Sequence, residues 1–297
     1  MAKDKTKPRP QLEAVREAAR KSQKAAAAKR RRKILINILI AVVIIGLATA
    51  GIIATVMHVD AGKRALEYTG NAKVTQITPP NATSDGLAIV AEPGATPAAD
   101  AITVDLHVDY QDGPSAQVMA YYIQALDDLA NAGSIKLNYH LHMASDTSNK
   151  NQSAGRATVA AACADTVGAF AKYNAAIWAA ASTAITAGGD GFSNSQLLND
   201  FTATAGITGD DLTNFTTCYN NRATSAFVTA MNTGNLTTKV PNNTSFNKGV
   251  TSTPVMLANN LTVDINSDYS AATAAQDDKD SLLTLLQNTI NPAGSGS

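Results

Sequence analysis

The sequence predicts an α/β domain with a helical insertion, preceded by one N-terminal transmembrane helix, and three observations carry that expectation. An uncharged apolar run fills positions 34–57, directly behind a basic segment. A strand, a helix and a second strand follow one another between Ile102 and Met143. An Ala-rich block at about 154–234 then stands between that unit and a closing hairpin and helix, so a helical insert interrupts one α/β domain.

The apolar run is broken only by Asn37, Thr49 and Thr55, and it exceeds the ~20 residues a helix needs to cross a hydrocarbon core of ~30 Å. Thirteen of the 24 basic residues lie in 1–33, among them Lys29, Arg30, Arg31, Arg32 and Lys33, against Asp4, Glu13 and Glu17. That asymmetry predicts a cytoplasmic N-terminus and a domain outside the cell membrane, in a single pass. The formal net charge of zero hides an outer part with 11 basic and 21 acidic residues. The basic segment reads as a topogenic signal resting on anionic headgroups, with the bilayer and not nucleic acid as its partner. Ala48-Thr49-Ala50 imitates a signal-peptide cleavage site, but the apolar stretch continues through Ile52, Ile53 and Val56, which favours an anchor. Gly46, Ala50 and Ala54 line one helix face and could pair two copies, although small residues are common in spanning helices anyway.

Residues 58–86 read as an extracytoplasmic tether with a brief strand-like Val74 to Ile77, and the folded domain spans 87–290, with a flexible tail at 291–297. A short strand near Leu87 to Val90 is followed by a Pro/Gly loop from Ala91 to Asp100. From Ile102 to Tyr110 apolar residues alternate with Thr103, Asp105, His107 and Asp109, the period of a half-buried strand. Asp112-Gly113-Pro114-Ser115 ends it, and Val118, Tyr121, Tyr122, Ala125, Leu126 and Leu129 repeat at helical spacing until Gly133. The next strand, Ile135 to Met143, completes a right-handed crossover with two parallel strands. Beyond the helical block, Val255 to Ala258 and Leu261 to Ile265 form a hairpin about Asn259-Asn260, and a last helix runs from about Asp278 to Thr289.

This order, with V-D-L-H-V-D-Y-Q at Val104 to Gln111, A-A-A-C-A at Ala160 to Ala164, F-T-T-C at Phe215 to Cys218 and G-V-T-S-T-P at Gly249 to Pro254, resembles the DsbA-like branch of the thioredoxin superfamily. The resemblance covers 87–290 and is to the membrane-anchored or secreted bacterial members. It implies a thioredoxin-like fold in which Thr253-Pro254 forms a cis-proline loop packed against the start of the first helix. It also implies a C-P-x-C motif there, where the helix dipole lowers the pKa of an attacking thiol. The sequence departs from that pattern: the positions read Asp112, Gly113, Pro114 and Ser115, without a cysteine. A carboxylate cannot exchange disulfides, so the fold does not carry the activity with it. Asp112 fits a helix cap in any case. The two cysteines, Cys163 and Cys218, both fall in the helical block on the oxidising side of the membrane and are expected to pair, closing about fifty residues for ~4 kcal/mol on the chain-entropy model. Resembling family members carry an additional bridge at these helices, so the resemblance implies a structural one.

Other constellations have plainer readings. His140 and His142 share one strand face, and Asp105, His107 and Asp109 share the corresponding face of the neighbouring strand, so they could hold a divalent metal or simply form a hydrogen-bonded polar face under a helix. Asp264, Asn266 and Asp268 begin like a calcium loop, but Tyr269 and Ala275 replace its Gly and Glu. Ser115 has no base assigned to it, and Trp178 groups with Phe170, Tyr173 and Ile177 as core. No cofactor motif is present. The function expected is a noncatalytic module of the cell envelope that binds or scaffolds extracytoplasmic polypeptides or envelope proteins. The alternatives are a thiol-disulfide oxidoreductase or a metal-dependent activity on the same fold.

Overall fold

A computed structural model describes residues 68–69, 73–91, 96–147, 151–186, 191–265 and 279–291. The transmembrane run, the Gly46, Ala50 and Ala54 face, the basic segment, the tail beyond Asn291 and the calcium-like positions from Asn266 onward lie outside these residues. Among the described residues no helix is long and apolar enough to cross a membrane.

The described strands form one sheet in the order β1-β3-β2-β4-β5. They are β1 (Ile89–Val90), β2 (Ile102–Asp109), β3 (Ile135–His142), β4 (Val255–Ala258) and β5 (Leu261–Thr262). β2 and β3 run parallel in the register Ile102↔Ile135 through Asp109↔His142, and the other neighbours are antiparallel. That register sets apolar residues beside apolar ones, so Val104, Leu106, Leu137 and Tyr139 share a face with no more than 1% exposure. Helix α1 (Gly113–Asn131) bridges the two strands, burying Met119, Tyr122, Leu126 and Leu129. Its start lies inside the turn that ends β2, because Asp112 caps it and Pro114 suits its first turn. Gly133, at φ +72, turns the chain into β3.

The helical block comprises α2 (Ser153–Asp165), α3 (Phe170–Thr186), a π turn at Gln196–Asp200 running into α4 (Phe201–Ala205), α5 (Gly209–Asn221) and α6 (Ser225–Thr237). Its alanines have a clear use. Every residue of α2 is buried, so α2 is surrounded on all sides, and small side chains let its neighbours approach. Asp146, in the short turn after β3, accepts from the Ala154 and Gly155 N–H groups and so supplies the start of α2 with a cap. Cys163 and Cys218 form a disulfide between α2 and α5 with Cα atoms 5.8 Å apart, inside the range an unstrained bridge requires. Trp178 is core, 3% exposed and tilted against Tyr110.

Three expectations need correction. The stretch from Gln76 to Asn81, read as tether, lies along the helical block: Ile77 N–H donates to Ala223 O, and Asn81 donates to the Asp165 carboxylate through both backbone and side chain. Val74 to Ile77 is accordingly no strand, since its backbone partner is a helix end. The hairpin does turn on Asn259 and Asn260, at φ 47 and 69, as a two-residue turn demands. However, β5 stops at Thr262, because Val263 and Ile265 turn inward and are buried. The last helix, α7 (Lys279–Ile290), packs on α1 through Leu282 and Leu286.

Candidate functional site: a helix start, a proline loop and a polar sheet face

The turn after β2 and the loop before β4 are 141 residues apart in sequence and meet at the N-terminus of α1. Asp112 has extended backbone, and its Oδ2 accepts from Ser115 N at 2.9 Å and Ser115 Oγ at 2.6 Å, the bonds of a helix cap. The same oxygen accepts from Thr253 Oγ1 at 3.2 Å. Thr253-Pro254 is a cis peptide. Ser115 is fully buried and committed to Asp112, with its Oγ also 3.3 Å from Asp109 N, so it has the surroundings of a capping residue and not of a nucleophile. Gly113 faces Ile185, whose Cγ2 would lie 3.7 Å from a Cβ there. Ser252 is exposed and Thr253 and Pro254 are half-buried, and among the described residues nothing takes up the backbone groups of Thr251 to Thr253. The result is a carboxylate at the helix start beside a loop whose backbone is open among the described residues.

The polar sheet face assembles as the alternation of β2 and β3 implies: in register, Asp105 pairs with Asn138, His107 with His140 and Asp109 with His142. Helix α6 packs on β3 and covers it. Asp105 Oδ1 accepts from Asn138 Nδ2 at 2.7 Å and lies 3.1 Å from His140 Nε2. His140 Nδ1 lies 2.9 Å from Asn235 Oδ1 of α6, and its ring stacks on His107 with centroids 4.2 Å apart. His107 Nδ1 and His142 Nε2 are 3.0 Å apart and share one ring proton. Asp109, 1% exposed, accepts from Gln111 N and Ser145 N.

Burial and charge set the protonation of this layer. Burial raises the Asp105 carboxyl, but the hydrogen bond and charge of His140, the Asn138 amide and the charge of Lys136 outweigh it and leave Asp105 below its ordinary value. Burial, then the charges of His140 and His142, hold His107 well below the usual imidazole range. Burial and His140 bring His142 down to about 4. Burial pushes Asp109 up to about 6 against its two N–H donors, with Asp146 adding to the rise. Of the two sequence readings for this face, the hydrogen-bonded one describes the geometry. Among the described residues no group of three or more His, Cys, Asp or Glu is arranged to hold a metal ion.

Sequence reasoning missed Asn235, which joins this face to α6, and Asn232, whose Oδ1 accepts from Met143 N. The available signal was an Asn-x-x-Asn spacing inside a helix otherwise made of Ser, Ala, Thr, Phe, Val, Met, Gly and Leu.

No protein-family model and no curated protein sequence matches the chain. Solved structures do resemble it. MdbA, a thiol-disulfide oxidoreductase from Actinomyces oris, superposes with a TM-score of 0.53 at 14% identity, covering 72% of this chain and 96% of that one. The MdbA protein from Corynebacterium diphtheriae gives 0.49 at 14% identity over 72% and 99% of the two chains. Reduced DsbA from Mycobacterium tuberculosis gives 0.46 at 15% identity over 69% and 100%. At such identities the likeness with the Actinomyces protein shows the fold alone, a mixed α/β sheet with helices like that of DsbA-type proteins.

Proposed function

We propose that this chain is a membrane-anchored extracytoplasmic protein that has the DsbA-like fold without the catalytic cysteines and binds polypeptides noncatalytically. One observation carries the reading: at the N-terminus of α1, where this fold's redox chemistry needs a thiol, Asp112 caps the helix and bonds to Thr253 of the proline loop. A carboxylate there cannot form a mixed disulfide. Both cysteines of the chain are spent in a bridge deep in the helical block, Cys163 at 0% and Cys218 at 6% exposure, which supports a structural role for them. The backbone of Thr251 to Thr253, left open among the described residues, is a ready partner for an extended segment by strand-like pairing. The anchor rests on the uncharged run at 34–57 and the basic residues before it.

The test is twofold. In insulin reduction and in oxidative refolding of a reduced substrate, the chain is expected to give no turnover above a Cys163→Ala/Cys218→Ala control, and turnover above that control overturns the reading. In titrations with a reduced, alkylated, unfolded polypeptide, Pro254→Ala and Gly113→Trp are expected to weaken binding while Asp264→Ala, on the far hairpin, leaves it unchanged. Equal affinity for all three variants assigns the function to another surface.

A further inference from the structure

The buried histidine face and the proline loop are joined through one residue. His140 Nε2 faces the Asp105 carboxylate and Nδ1 faces Asn235 Oδ1. The orientation of the Asn235 amide is fixed, because its Nδ2 donates to Leu87 O at 3.1 Å. Both ring nitrogens of His140 therefore face acceptors, and both must carry a proton for the two bonds to exist together. That is the imidazolium form, paired with Asp105 and stacked on a neutral His107.

Asn235 also holds the loop on its other side. Its backbone carbonyl accepts from Val250 N at 2.8 Å. The preceding residue, Gly249, has φ +108 and lies so close to the last turn of α6 that an added Cβ would sit 2.6 Å from Thr237 N and overlap the Leu236 carbonyl. The segment from Gly249 to Pro254 is thus seated on the end of α6, and that end is held to the sheet by Asn235. In register, His107 stands opposite Val255, the residue after Pro254, so the loop leaves the sheet directly beside the histidines.

We infer that His140, as an imidazolium, is a positioning residue for the proline loop: it fixes Asn235 and through it the Gly249–Pro254 loop, and loss of its proton releases that loop. The inference rests on the reading of this loop as the polypeptide-binding surface. The groups facing His140 are few. β2 contributes Asp105 and His107, β3 contributes His142 and, through Asp105, Lys136, and α6 contributes the neutral Asn235. Burial holds His107 and His142 below the usual imidazole range. The pair is also reachable by protons, with 11% of the His140 side chain and 16% of the Asp105 side chain exposed. Without its second N–H, His140 would turn a lone pair toward Asn235 Oδ1, an acceptor facing an acceptor, and the amide could no longer serve both His140 and Leu87.

The experiment follows two signals of the full chain across pH: the imidazole resonances of His140, assigned by their loss in His140→Gln, and the hydrogen-exchange protection of the amides of 235–238 and of Val250, which donates to Asn235 O. The protection is expected to fall roughly tenfold or more through the same midpoint as the His140 titration, while protection in α1 stays constant. Asp105→Asn, which keeps the shape of the site if His140→Gln does not fold, is expected to lower both midpoints together by about one unit or more. Asn235→Asp, which places a carboxylate on the other ring nitrogen, is expected to raise them. Loop protection that ignores the His140 midpoint, or a loop midpoint unmoved in Asp105→Asn, overturns the inference. The reduced, alkylated polypeptide separates this from the proposed function. Equal binding above and below the midpoint removes the role of His140 and leaves the binding reading standing. Coupled midpoints without binding at any pH support His140 as the positioning residue of the loop and remove the binding reading.

Discussion

The N-terminus of α1 and the junction of α2 with α5 are the two places where the chemistry of this fold could reside, and their contents differ. At the junction a disulfide is packed among fully buried alanines and aromatic rings, where it can cross-link but cannot meet a partner. At the helix start a carboxylate stands near the surface beside a loop whose backbone is open among the described residues, where it can meet a partner but cannot exchange electrons. Burial decides what sulfur does here, and exposure decides what the carboxylate can do. The contrast supports a stabilising role for the bridge and leaves the helix start as the place where the proposed binding would occur.

The largest test of that division is removal of the bridge. Cys163→Ala/Cys218→Ala opens a loop of 55 residues and is expected to lower the unfolding free energy by about 4 kcal/mol, read by chemical denaturation, with polypeptide binding preserved wherever the variant is folded. A change of less than about 1 kcal/mol would mean the bridge is not the support it is taken to be.

The next effect belongs to the buried polar face and depends on pH. His142 titrates near 4 in the folded chain and near 6.5 when unfolded, so as pH falls from 6.5 toward 4 the unfolded chain takes up a proton that the native one refuses. Stability is lost over that window, by about 3 kcal/mol from His142 alone, and His107 acts in the same direction. Asp109 has the opposite sign. Its folded value of about 6 lies above its unfolded one, so its contribution is complete in acid and is lost as pH rises toward 6. Thermal unfolding from pH 4 to 7 is expected to show the rise with pH reduced in His142→Gln and steepened in Asp109→Asn. The reverse order would show that neighbouring charges, and not burial, govern this layer.

The smallest effect is local. Asp112→Ala removes the cap and is expected to cost about 1 kcal/mol, whereas Asp112→Asn, itself a good cap, should cost far less. Equal losses in denaturant titrations would place the value of Asp112 in its charge toward Thr253 and not in the cap.

What the sequence made legible follows the range of the interactions. The alternation of β2 and β3 identified the residues of each sheet face, because side-chain direction in a strand depends only on parity. The cap at Asp112 was legible too, since its partner Ser115 is three residues away. The meeting of the Thr253-Pro254 loop with the helix start was expected only through the family resemblance and the bond from Thr253 to Asp112 was not, nor was the bond from His140 to Asn235, 95 residues apart. Nothing local in α6 tells which turn will rest on the sheet. That is settled by how Gly249 packs on Leu236 and by the carbonyl of Leu87, both distant in sequence.

The central claim is that the wall formed by Asp112 to Ser115 and Thr251 to Pro254 receives an extended polypeptide. Hydrogen exchange of the full chain, with and without a saturating reduced and alkylated polypeptide, measures this directly. The account predicts added protection at the amides of 251–253 and of Gly113, Ser115 and Ala116, with no change at Cys163, Cys218 and their neighbours. Binding that protects the helical block while leaving 251–253 untouched would contradict it.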